Sequence, residues 1–344
     1  MNRHFLLFVL FSVLFVCGKA EAQRRFRVAE YNVENLFDTI HAHGFDDYGF
    51  TPSGNHRWTS GRYWYKLGQL ARTIAELGEL KPADIIMLCE VENDSVIYDL
   101  TKRTILNRLG YEFIISHSRD VRGINVALLY QPMSFMPIIC DSLRITPLDN
   151  VRPTRDILHI CGMTVSGDSL DVFLVHMPSR SGGKRQTEAW RRKVASALKT
   201  FSDSVIAARQ TPNIVIMGDF NDEATDKSIR KSLGAIYKYK YNNVYSLQSS
   251  DLIVLPSNCA DKRVGGTYLF RKKWYELDHI IVSGNFFSKS AGLRLSCPNA
   301  YIYSAPHLTE KDGDRGIKPK RTFLGTSYHG GLSDHLPIYV DFEY

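Results

Sequence analysis

Short apolar runs recur along the whole chain. Most of them are rich in β-branched residues and are bounded by Gly, Pro, Asp or Asn. This pattern is typical of β-strands. The predicted strands are Phe26–Tyr31, Ile85–Cys89, Phe113–Ser116, Val126–Tyr130, Ile157–Val165, Leu170–Val175, Ile214–Met217, Leu277–Val282 and Ile338–Phe342.

Three segments instead repeat their apolar residues at helical spacing. They are Tyr63–Leu77, Ser95–Leu109 and Arg185–Phe201. In the first, the apolar residues share one face, and a glycine and a proline then end the helix. Strands and helices alternate early in the chain, and residues 126–139 and 157–165 have the pattern of a hairpin pair. Together these features predict a mixed α/β sandwich.

The first 22 residues have a separate character. Arg3 and His4 precede the apolar run Phe5–Val16, and Ala20-Glu21-Ala22 provides a cleavage pattern of small residues before Gln23. This is the arrangement of a secretory signal peptide, and the run is too short to span a bilayer as a helix. We therefore expect a signal peptide over 1–22 and one folded domain over 23–344.

Export to the periplasm or the medium follows from that expectation. Cys17 raises lipoprotein anchoring as an alternative. Val16 argues against it, because a lipid-modified cysteine normally follows a small residue. No later segment contains ~18 consecutive apolar residues, so we expect no stable membrane insertion. We also expect a monomer.

Charge and cysteine content change this picture modestly. The formal net charge of +7 suits a polyanionic substrate, because a basic surface concentrates anions, although ordinary surface charge is an equal alternative.

The cysteines beyond residue 22 show neither a CxxC pair nor a zinc-site spacing. Cys140 and Cys161 lie on consecutive predicted strands and are the first candidate disulfide pair.

Acidic, amide and histidine side chains cluster where predicted strands end. Asn32 and Glu34 lie two residues apart, so on a strand they point to the same side. Glu90 follows an apolar strand, where a buried carboxylate is unfavourable unless it binds a metal or is paired. A single cluster of this kind also fits ordinary turn chemistry. Clusters of this kind occur in five places along the chain, within the motifs given below. Together they indicate one site that hydrolyses a phosphate ester with a metal ion.

The ordered motifs resemble the endonuclease/exonuclease/phosphatase superfamily, which includes DNase I, abasic-site endonucleases, sphingomyelinases and inositol polyphosphate phosphatases. The resemblance covers nearly all of the chain after residue 22. Secreted bacterial nuclease-like members are most similar around residues 122–127 and 179–183. The resemblance implies a four-layer α-β-β-α sandwich of two mostly antiparallel sheets. The motifs are Tyr31-Asn32-Val33-Glu34-Asn35, Glu90-Val91-Glu92-Asn93, Val175-His176-Met177-Pro178-Ser179-Arg180, Gly218-Asp219-Phe220-Asn221-Asp222, Leu277-Asp278-His279 and Ser333-Asp334-His335.

By position, the same resemblance implies a site for Mg²⁺ or Mn²⁺. Glu90 would be the principal ligand. Asn32, Glu34 and Asp334 would complete or support the site, partly through water. Oxygen ligands of this kind suit a hard cation that keeps several waters.

The resemblance also implies catalytic roles. His335 would lie against the scissile phosphate, oriented by a hydrogen bond to Asp278. Asp219 would position or deprotonate the attacking water, and Asn221 would donate to a phosphate oxygen. His176 would bond the phosphate or protonate the leaving oxygen. The sequence leaves open whether His335 takes a proton from water or mainly stabilises charge on the phosphate.

Candidate substrate-binding residues lie in the neighbouring loops. Arginine binds phosphate through a bidentate fork, although solvated loop charge explains each basic residue equally well. Two long polar stretches, Asp38–Arg62 and Asn299–Gly331, adjoin the motifs, and we expect them to shape the substrate groove. The candidates for substrate binding are Arg122, Asn125, Ser179, Arg180 and Arg185.

Three functional hypotheses remain. The first is a secreted metal-dependent endonuclease acting on DNA or RNA, with nucleic acid as the substrate. The second is the same chemistry on a phospholipid head group, an inositol phosphate or a small nucleotide. The third is an inactive binding module, which is disfavoured because each position that matches the catalytic pattern holds a competent residue.

Overall fold

A computed structural model describes residues 24–149, 151–237, 247–288, 291–313 and 316–344, so the predicted signal peptide lies outside the described residues. The helices are α1 (Ser60–Gly78), α2 (Asp94–Lys102) and α3 (Lys184–Ala207). The strands are β1 (Arg25–Leu36), β2 (Ile85–Val91), β3 (Glu112–Ile115), β4 (Asn125–Tyr130), β5 (Phe135–Leu143), β6 (Ile157–Thr164), β7 (Ser169–His176), β8 (Ile214–Asp219), β9 (Leu252–Val254), β10 (Ser257–Cys259), β11 (Tyr268–Phe270), β12 (Lys273–Tyr275), β13 (Asp278–Ser283), β14 (Arg294–Leu295), β15 (Ala300–Ile302), β16 (Thr309–Asp312), β17 (Gly316–Pro319), β18 (Phe323–Leu324), β19 (Ser327–Tyr328) and β20 (Ile338–Glu343).

Most of these strands form two large sheets. The first has the order β10-β15-β20-β1-β2-β4-β3, with β14 also paired to β20. The second has the order β5-β6-β7-β8-β13-β9. Pairing is parallel for β1 with β2, β7 with β8, and β10 with β15, and it is antiparallel for the other pairs within the two sheets. The predicted pair of mostly antiparallel sheets is therefore confirmed.

Apolar side chains fill the space between the two sheets. Val28 and Met87 of the first sheet share a core with Met217 and Ile280 of the second, and all four are fully buried. The apolar face of α1 joins this core from the outer side of the first sheet, and α3 packs on the outer side of the second. Each fully buried aliphatic side chain stabilises the fold by about 1.5–3 kcal/mol. The result is the expected order of helix, sheet, sheet and helix layers.

The predicted strands are all found, and one predicted pairing is only partly correct, because residues 135–139 pair with β6 as expected whereas residues 126–130 do not. Residues 126–139 span two strands in different sheets: β4 pairs with β2 and β3, and β5 pairs with β6. A turn between them moves the chain from one sheet to the other, with Phe135 N–H donating to the Gln131 carbonyl. Hydrophobic periodicity identifies a strand but not its partner.

Two smaller expectations are also corrected. The predicted helix Ser95–Leu109 is divided, because α2 ends at Lys102 and a separate 3₁₀ turn begins after Thr104. Cys140 and Cys161 are free. Ile139 lies opposite Cys161 in the register of β5 and β6, so the two cysteines point to opposite faces of the sheet.

Across residues 24–344, apart from the gaps given above, no helix is long and apolar enough to cross a membrane.

The strand directions bring the motif residues to one edge of the sandwich. In the second sheet His176, Asp219 and Asp278 are direct neighbours across β7, β8 and β13. In the first sheet the parallel strands β1 and β2 end at this edge, and the antiparallel strand β20 begins there. Residues that are distant in sequence therefore meet at the edge through register alone.

Gly218, directly before Asp219 on β8, gives a test of this register. Its φ is +146°, and an added Cβ would lie 1.8 Å from the Val175 carbonyl oxygen. We expect Gly218→Ala to destabilise the fold by about 2–4 kcal/mol through strain and overpacking. Urea unfolding measures the change. Gly68→Ala, in open space on α1, is the control and should stabilise by about 1 kcal/mol. Equal unfolding midpoints for Gly218→Ala and the unmodified protein would contradict this account.

Candidate active site

The motif residues surround a cleft of about 770 Å³ at this edge. Carboxyl, imidazole and amide groups form its floor, and basic and aromatic residues form its rim. The lining residues are Glu34, Asn35, Glu90, Arg122, His176, Ser179, Arg180, Ser181, Gly182, Gly183, Lys184, Asp219, Asn221, Tyr268, Phe270, Arg271, Tyr275, Leu277, Arg321, Asp334 and His335.

His335 and Asp278 form a buried pair on the floor. His335 Nδ1 lies 2.7 Å from Asp278 Oδ2. Burial lowers the pKa of His335, but the charge and hydrogen bond of Asp278 more than offset this and raise the pKa well above its ordinary value. The imidazole therefore carries a positive charge at neutral pH, with Nε2 free to face the cleft.

The backbone around His335 is fixed by Ser333. The Ser333 hydroxyl donates to the Asn32 carbonyl at 2.6 Å and accepts from His335 N–H at 3.0 Å. The Tyr268 ring packs against the imidazole with 4.9 Å between ring centres. These contacts attach the loop before β20 to the end of β1.

Asp219 lies at the centre of the floor. Its Oδ2 accepts from Asn32 Nδ2 at 3.2 Å and from Asn221 Nδ2 at 3.1 Å, and it lies 3.9 Å from His335 Nε2. Burial raises the pKa of Asp219, the nearby positive charge of His335 lowers it and Asp278 raises it, and together these effects place the pKa at about 7. A carboxyl group with a pKa near neutrality is suited to accept a proton from water.

His176 lies on the opposite side of Asp219 and is electrically different from His335. Its Nε2 is 3.5 Å from Asp219 Oδ2 and 3.8 Å from Glu90 Oε1. Burial, and then the positive charges of Arg155 and Arg122, lower the pKa of His176 well below its ordinary value. A neutral imidazole is a hydrogen-bond donor rather than a source of protons, which favours the phosphate-bonding role over protonation of the leaving oxygen.

Three further carboxylates form the other side of the floor. Glu34 Oε2 accepts from Thr322 N–H at 2.7 Å, and Glu90 Oε2 accepts from Asn35 N–H at 2.8 Å. Asp334 is ion-paired with Arg321. Burial and then the charge of Asp334 raise the pKa of Glu34, Lys66 lowers it, and together these effects place the pKa at about 8. Like charges held this close favour the arrival of a cation.

Asp219, Asp278 and His335 form another compact group. Among the described residues, their ligand atoms all lie within 4.8 Å of one another. His335 is cationic, however, and its Nδ1 is already bonded to Asp278. A protonated imidazole offers no lone pair to a metal. This trio therefore suits phosphate and water, whereas the side formed by Glu34, Glu90 and Asp334 suits a cation.

The floor is held with backbone strain. Four of its residues have a positive φ without being glycine: Glu34 (+48°), Asn35 (+49°), Glu90 (+65°) and Asn221 (+50°). This region is disfavoured for side chains with a Cβ, and such residues cluster at functional sites, where the surrounding structure determines them. Apart from the polar residues at strand ends, no sequence pattern predicts these positive φ angles.

The predicted substrate-binding residues divide into two groups. Arg122, Ser179 and Arg180 line the cleft. Asn125 is buried beside it, where its side-chain oxygen accepts from Ser118 N–H at 2.7 Å, and Arg185 is exposed outside the lining. The chain departs from the expected geometry here because α3 begins at Lys184 and carries Arg185 onto its solvent face.

Arg180 is already paired with acidic neighbours. Its NH2 lies 3.4 Å from Asp222 Oδ1 and 3.2 Å from Asp226 Oδ2, and its Nε donates to the Asn221 carbonyl at 2.6 Å. Arg180 thus fixes the loop after β7 to the loop after β8. Arg122 is less constrained, with NH1 3.3 Å from Asn35 Oδ1, and is better placed to meet a phosphate.

Several residues of the site were not among the predicted site residues. Glu30 is fully buried behind the floor, and burial, followed by the charges of Asp278 and Asp219, raises its pKa well above the ordinary value. Asn35, Tyr268 and Arg321 line the cleft. The sequence pattern does point to Glu30, because Glu30, Asn32 and Glu34 are spaced two residues apart and would share one face of a strand. No such pattern points to Arg321, since it lies in an irregular polar stretch.

The two long polar stretches contribute less to the cleft than expected. Of residues 38–62, all described, none lines it, and of the described part of 299–331 only Arg321 does. Instead the two stretches pack on each other: the Phe50 and His56 rings stack at 4.4 Å, and His56 meets Phe323 at 4.7 Å. They form a support beside the acidic side of the floor.

Comparison with known proteins agrees with this geometry. A sequence model described as the Endonuclease/Exonuclease/phosphatase family matches residues 27–344. No curated protein matches the chain.

Solved structures match over nearly the whole chain. A Bacteroides thetaiotaomicron protein described as an endonuclease/exonuclease/phosphatase family protein has 15% identity and a TM-score of 0.56, over 92% of this chain and 94% of its own. A mannosyl-6-phosphatase of the same species has 16% identity and a TM-score of 0.57, over 93% and 100%. D. rerio TDP2, complexed with a single-strand DNA product, has 13% identity and a TM-score of 0.55, over 93% and 99%. At these identities the likeness establishes the fold alone.

The His335–Asp278 pair predicts a definite pH dependence. We expect Asp278→Asn to lower the pKa of His335, because burial would no longer be opposed by a carboxylate. A raised histidine pKa stabilises the folded state fully below pH ~6.5 and ceases to do so as pH rises through the folded-state value. The variant should therefore lose more stability at about pH 6 than at about pH 10, where the imidazole is closer to neutral in both proteins.

Urea unfolding at both pH values, with NMR titration of the imidazole, measures this difference. Activity should fall about 10²–10⁴-fold. A stability loss of the same size at both pH values would show that Asp278 does not hold the charge of His335.

Proposed function

The chain belongs to the endonuclease/exonuclease/phosphatase family, whose members are phosphoester hydrolases, and we propose that it is a metal-dependent endonuclease that cleaves phosphodiester bonds in DNA or RNA. The observation that carries the proposal is the division of the cleft floor. A cationic histidine and a carboxyl group of near-neutral pKa occupy one side, and Glu34, Glu90 and Asp334 occupy the other.

The donor set fits a divalent cation, on which members of this family generally depend. Glu34 Oε1 and Glu90 Oε1 accept no hydrogen bond from the described part of the chain, and repulsion between Glu34 and Asp334 raises the pKa of Glu34 beyond the effect of burial. Carboxylate and amide oxygens suit Mg²⁺ or Mn²⁺. Glu90, Glu34 and Asp334 would hold the ion, with Asn32 in support. When bound, the ion would neutralise charge that develops on the phosphate.

The protein's own groups would divide the remaining chemistry. Asp219 would orient the water and accept its proton, and Asn32 and Asn221 would hold the Asp219 carboxyl in place. His335 would donate from Nε2 to a phosphate oxygen and stabilise its negative charge, since a high pKa makes it a poor base. His176 would donate a hydrogen bond to the phosphate.

The rim favours a polyanion with stackable groups. Arg122, Lys184 and Arg271 line the cleft beside the rings of Tyr268 and Phe270. Basic residues track a nucleic-acid backbone, and aromatic rings stack on exposed bases without strong sequence preference. D. rerio TDP2, complexed with a single-strand DNA product, shares the fold. The mannosyl-6-phosphatase also shares it, so a phosphorylated small molecule is the alternative that the experiment must separate.

We also propose export from the cell. The support is the charged start, apolar run and small-residue cleavage pattern of residues 1–22. Localisation of the full chain, with N-terminal sequencing of the mature form, checks this part independently of activity.

A substrate panel tests the proposed activity. Plasmid DNA, RNA, sphingomyelin, inositol phosphates, sugar phosphates and a bis-phosphodiester are each incubated with Mg²⁺, Mn²⁺ or EDTA. We expect metal-dependent cleavage of nucleic acid that EDTA abolishes. His335→Ala and Glu90→Gln should each reduce the rate at least ~10²-fold. His117→Ala, an exposed histidine outside the cleft, is the matched control and should retain full activity. Turnover of lipid, inositol or sugar phosphates without nuclease activity would refute the nuclease proposal.

A further inference from the structure

Lys66 is a fully buried lysine behind the acidic side of the floor. It lies on the face of α1 that otherwise carries Tyr63, Leu67 and Leu70, so a charged residue occupies a position that the helical pattern reserves for apolar ones. Burying an ammonium group is unfavourable unless its hydrogen bonds are satisfied. A lysine in such a position must therefore be held by specific partners.

Its partners belong to the elements that carry the acidic side. Lys66 Nζ donates to the Glu34 carbonyl and, at 2.8 Å, to Thr322 Oγ1. Thr322 in turn donates twice: its N–H to Glu34 Oε2 at 2.7 Å and its hydroxyl to the Leu332 carbonyl at 3.0 Å. Leu332 directly precedes Ser333-Asp334-His335. One ammonium group thus joins the end of β1 to the loop before β20.

Glu34 needs such support. Its backbone has a φ of +48°, a conformation that a residue with a side chain does not adopt unaided. Three polar groups of Glu34 fix its orientation: its N–H donates to Asn32 Oδ1 at 3.0 Å, its carbonyl receives Lys66, and its carboxylate receives Thr322.

The two long polar stretches exclude water from this contact. Trp58, fully buried, donates its indole N–H to the Phe37 carbonyl at 2.9 Å, and its ring packs against Phe323 with 5.7 Å between centres. Phe323 follows Thr322 directly. Hydrogen bonds and charge interactions are stronger in such a dry environment than in water.

We propose that Lys66, acting through Thr322, is a positioning residue that presents Glu34 and the Asp334 loop to the divalent cation. This inference rests on the metal site of the proposed function and adds to it a residue outside the cleft. Groups that orient the ligands of a metal are worth about 10–100-fold in metal affinity.

A purely electrostatic effect of losing Lys66 would change the metal affinity in the opposite direction, so the measurement separates the two explanations. The charge of Lys66 interacts with those of Glu34, Glu90 and Asp334. Removing a positive charge from their surroundings would strengthen their attraction for a dication. Weaker metal binding after loss of Lys66 would therefore come from lost geometry and not from the change in charge.

The test uses Lys66→Met, which keeps the length of the side chain, and Thr322→Val, which removes one hydroxyl and keeps the shape. Calorimetric titration of the mature protein with Mn²⁺, without substrate, gives the dissociation constant. We expect it to rise about 10–100-fold in Lys66→Met and by a smaller factor in Thr322→Val, while Thr322→Ser restores the original affinity.

Matched controls separate this role from general stability. Lys102→Met removes a lysine that contacts the Tyr111 carbonyl away from the cleft, and Thr101→Val removes a buried hydroxyl inside α2. Both should lower the unfolding midpoint and leave the Mn²⁺ affinity unchanged. If Lys66→Met fails to fold, Thr322→Val and its rescue by Thr322→Ser carry the test.

The outcomes are distinguishable. Unchanged or tighter Mn²⁺ binding in both variants overturns the positioning role and leaves the proposed nuclease standing. Weakened binding in the variants of a protein that cleaves no nucleic acid supports the positioning role and refutes the nuclease. A protein that binds no divalent cation at all overturns both.

Discussion

The burial of like charges at one edge of the sandwich is the constraint that the rest of the site depends on. Glu30, Glu34, Asp219 and Asp278 are almost completely withdrawn from water within the reach of one another's fields. Such an arrangement opposes folding unless each carboxyl group is protonated, hydrogen-bonded or paired with a cation. Each group has such a compensation: the raised pKa of Glu30 favours its neutral form, Asp278 pairs with His335, and Glu34 receives Thr322 and the field of Lys66.

The two sheets position their charged residues in different ways. The second sheet places His176, Asp219 and Asp278 side by side through strand register, so their spacing follows from regular pairing. The first sheet supplies Glu34 and Glu90 from strand ends with positive φ, where the ladder is irregular. The second sheet therefore forms a regular half of the site, held by strand pairing. The first sheet forms a strained half, which depends on additional side-chain contacts. The strained half is the one whose carboxylates suit a metal, and a cation bound there would relieve the repulsion between them.

Sequence reasoning succeeded where the determinant was local. Asn32 lies within β1, Glu90 and Asp219 lie at the ends of β2 and β8, and His335 lies shortly before β20. The period of two within β1 and the strand boundaries were readable from hydrophobicity. It failed where the determinant was long-range pairing: no local pattern shows that β4 and β5 enter different sheets. It also failed for Arg321 and for the exposed Arg185, because their environment depends on how an irregular loop and the start of α3 dock onto the sandwich.

The role of the two long polar stretches also changes with the structure. Loops beside a catalytic motif usually meet the substrate, but residues 38–62 instead stack their aromatic rings against the segment that carries Thr322. They therefore pack beside Thr322, the partner of Lys66, and not along the cleft. The other rim of the cleft is formed by the loop around Arg180 and the hairpin of β11 and β12, whose Tyr268 contacts His335 directly. If the proposed function holds, substrate choice depends chiefly on that rim, and a homologous chain with different stretches at 38–62 would keep the same substrate while binding the proposed metal with a different affinity.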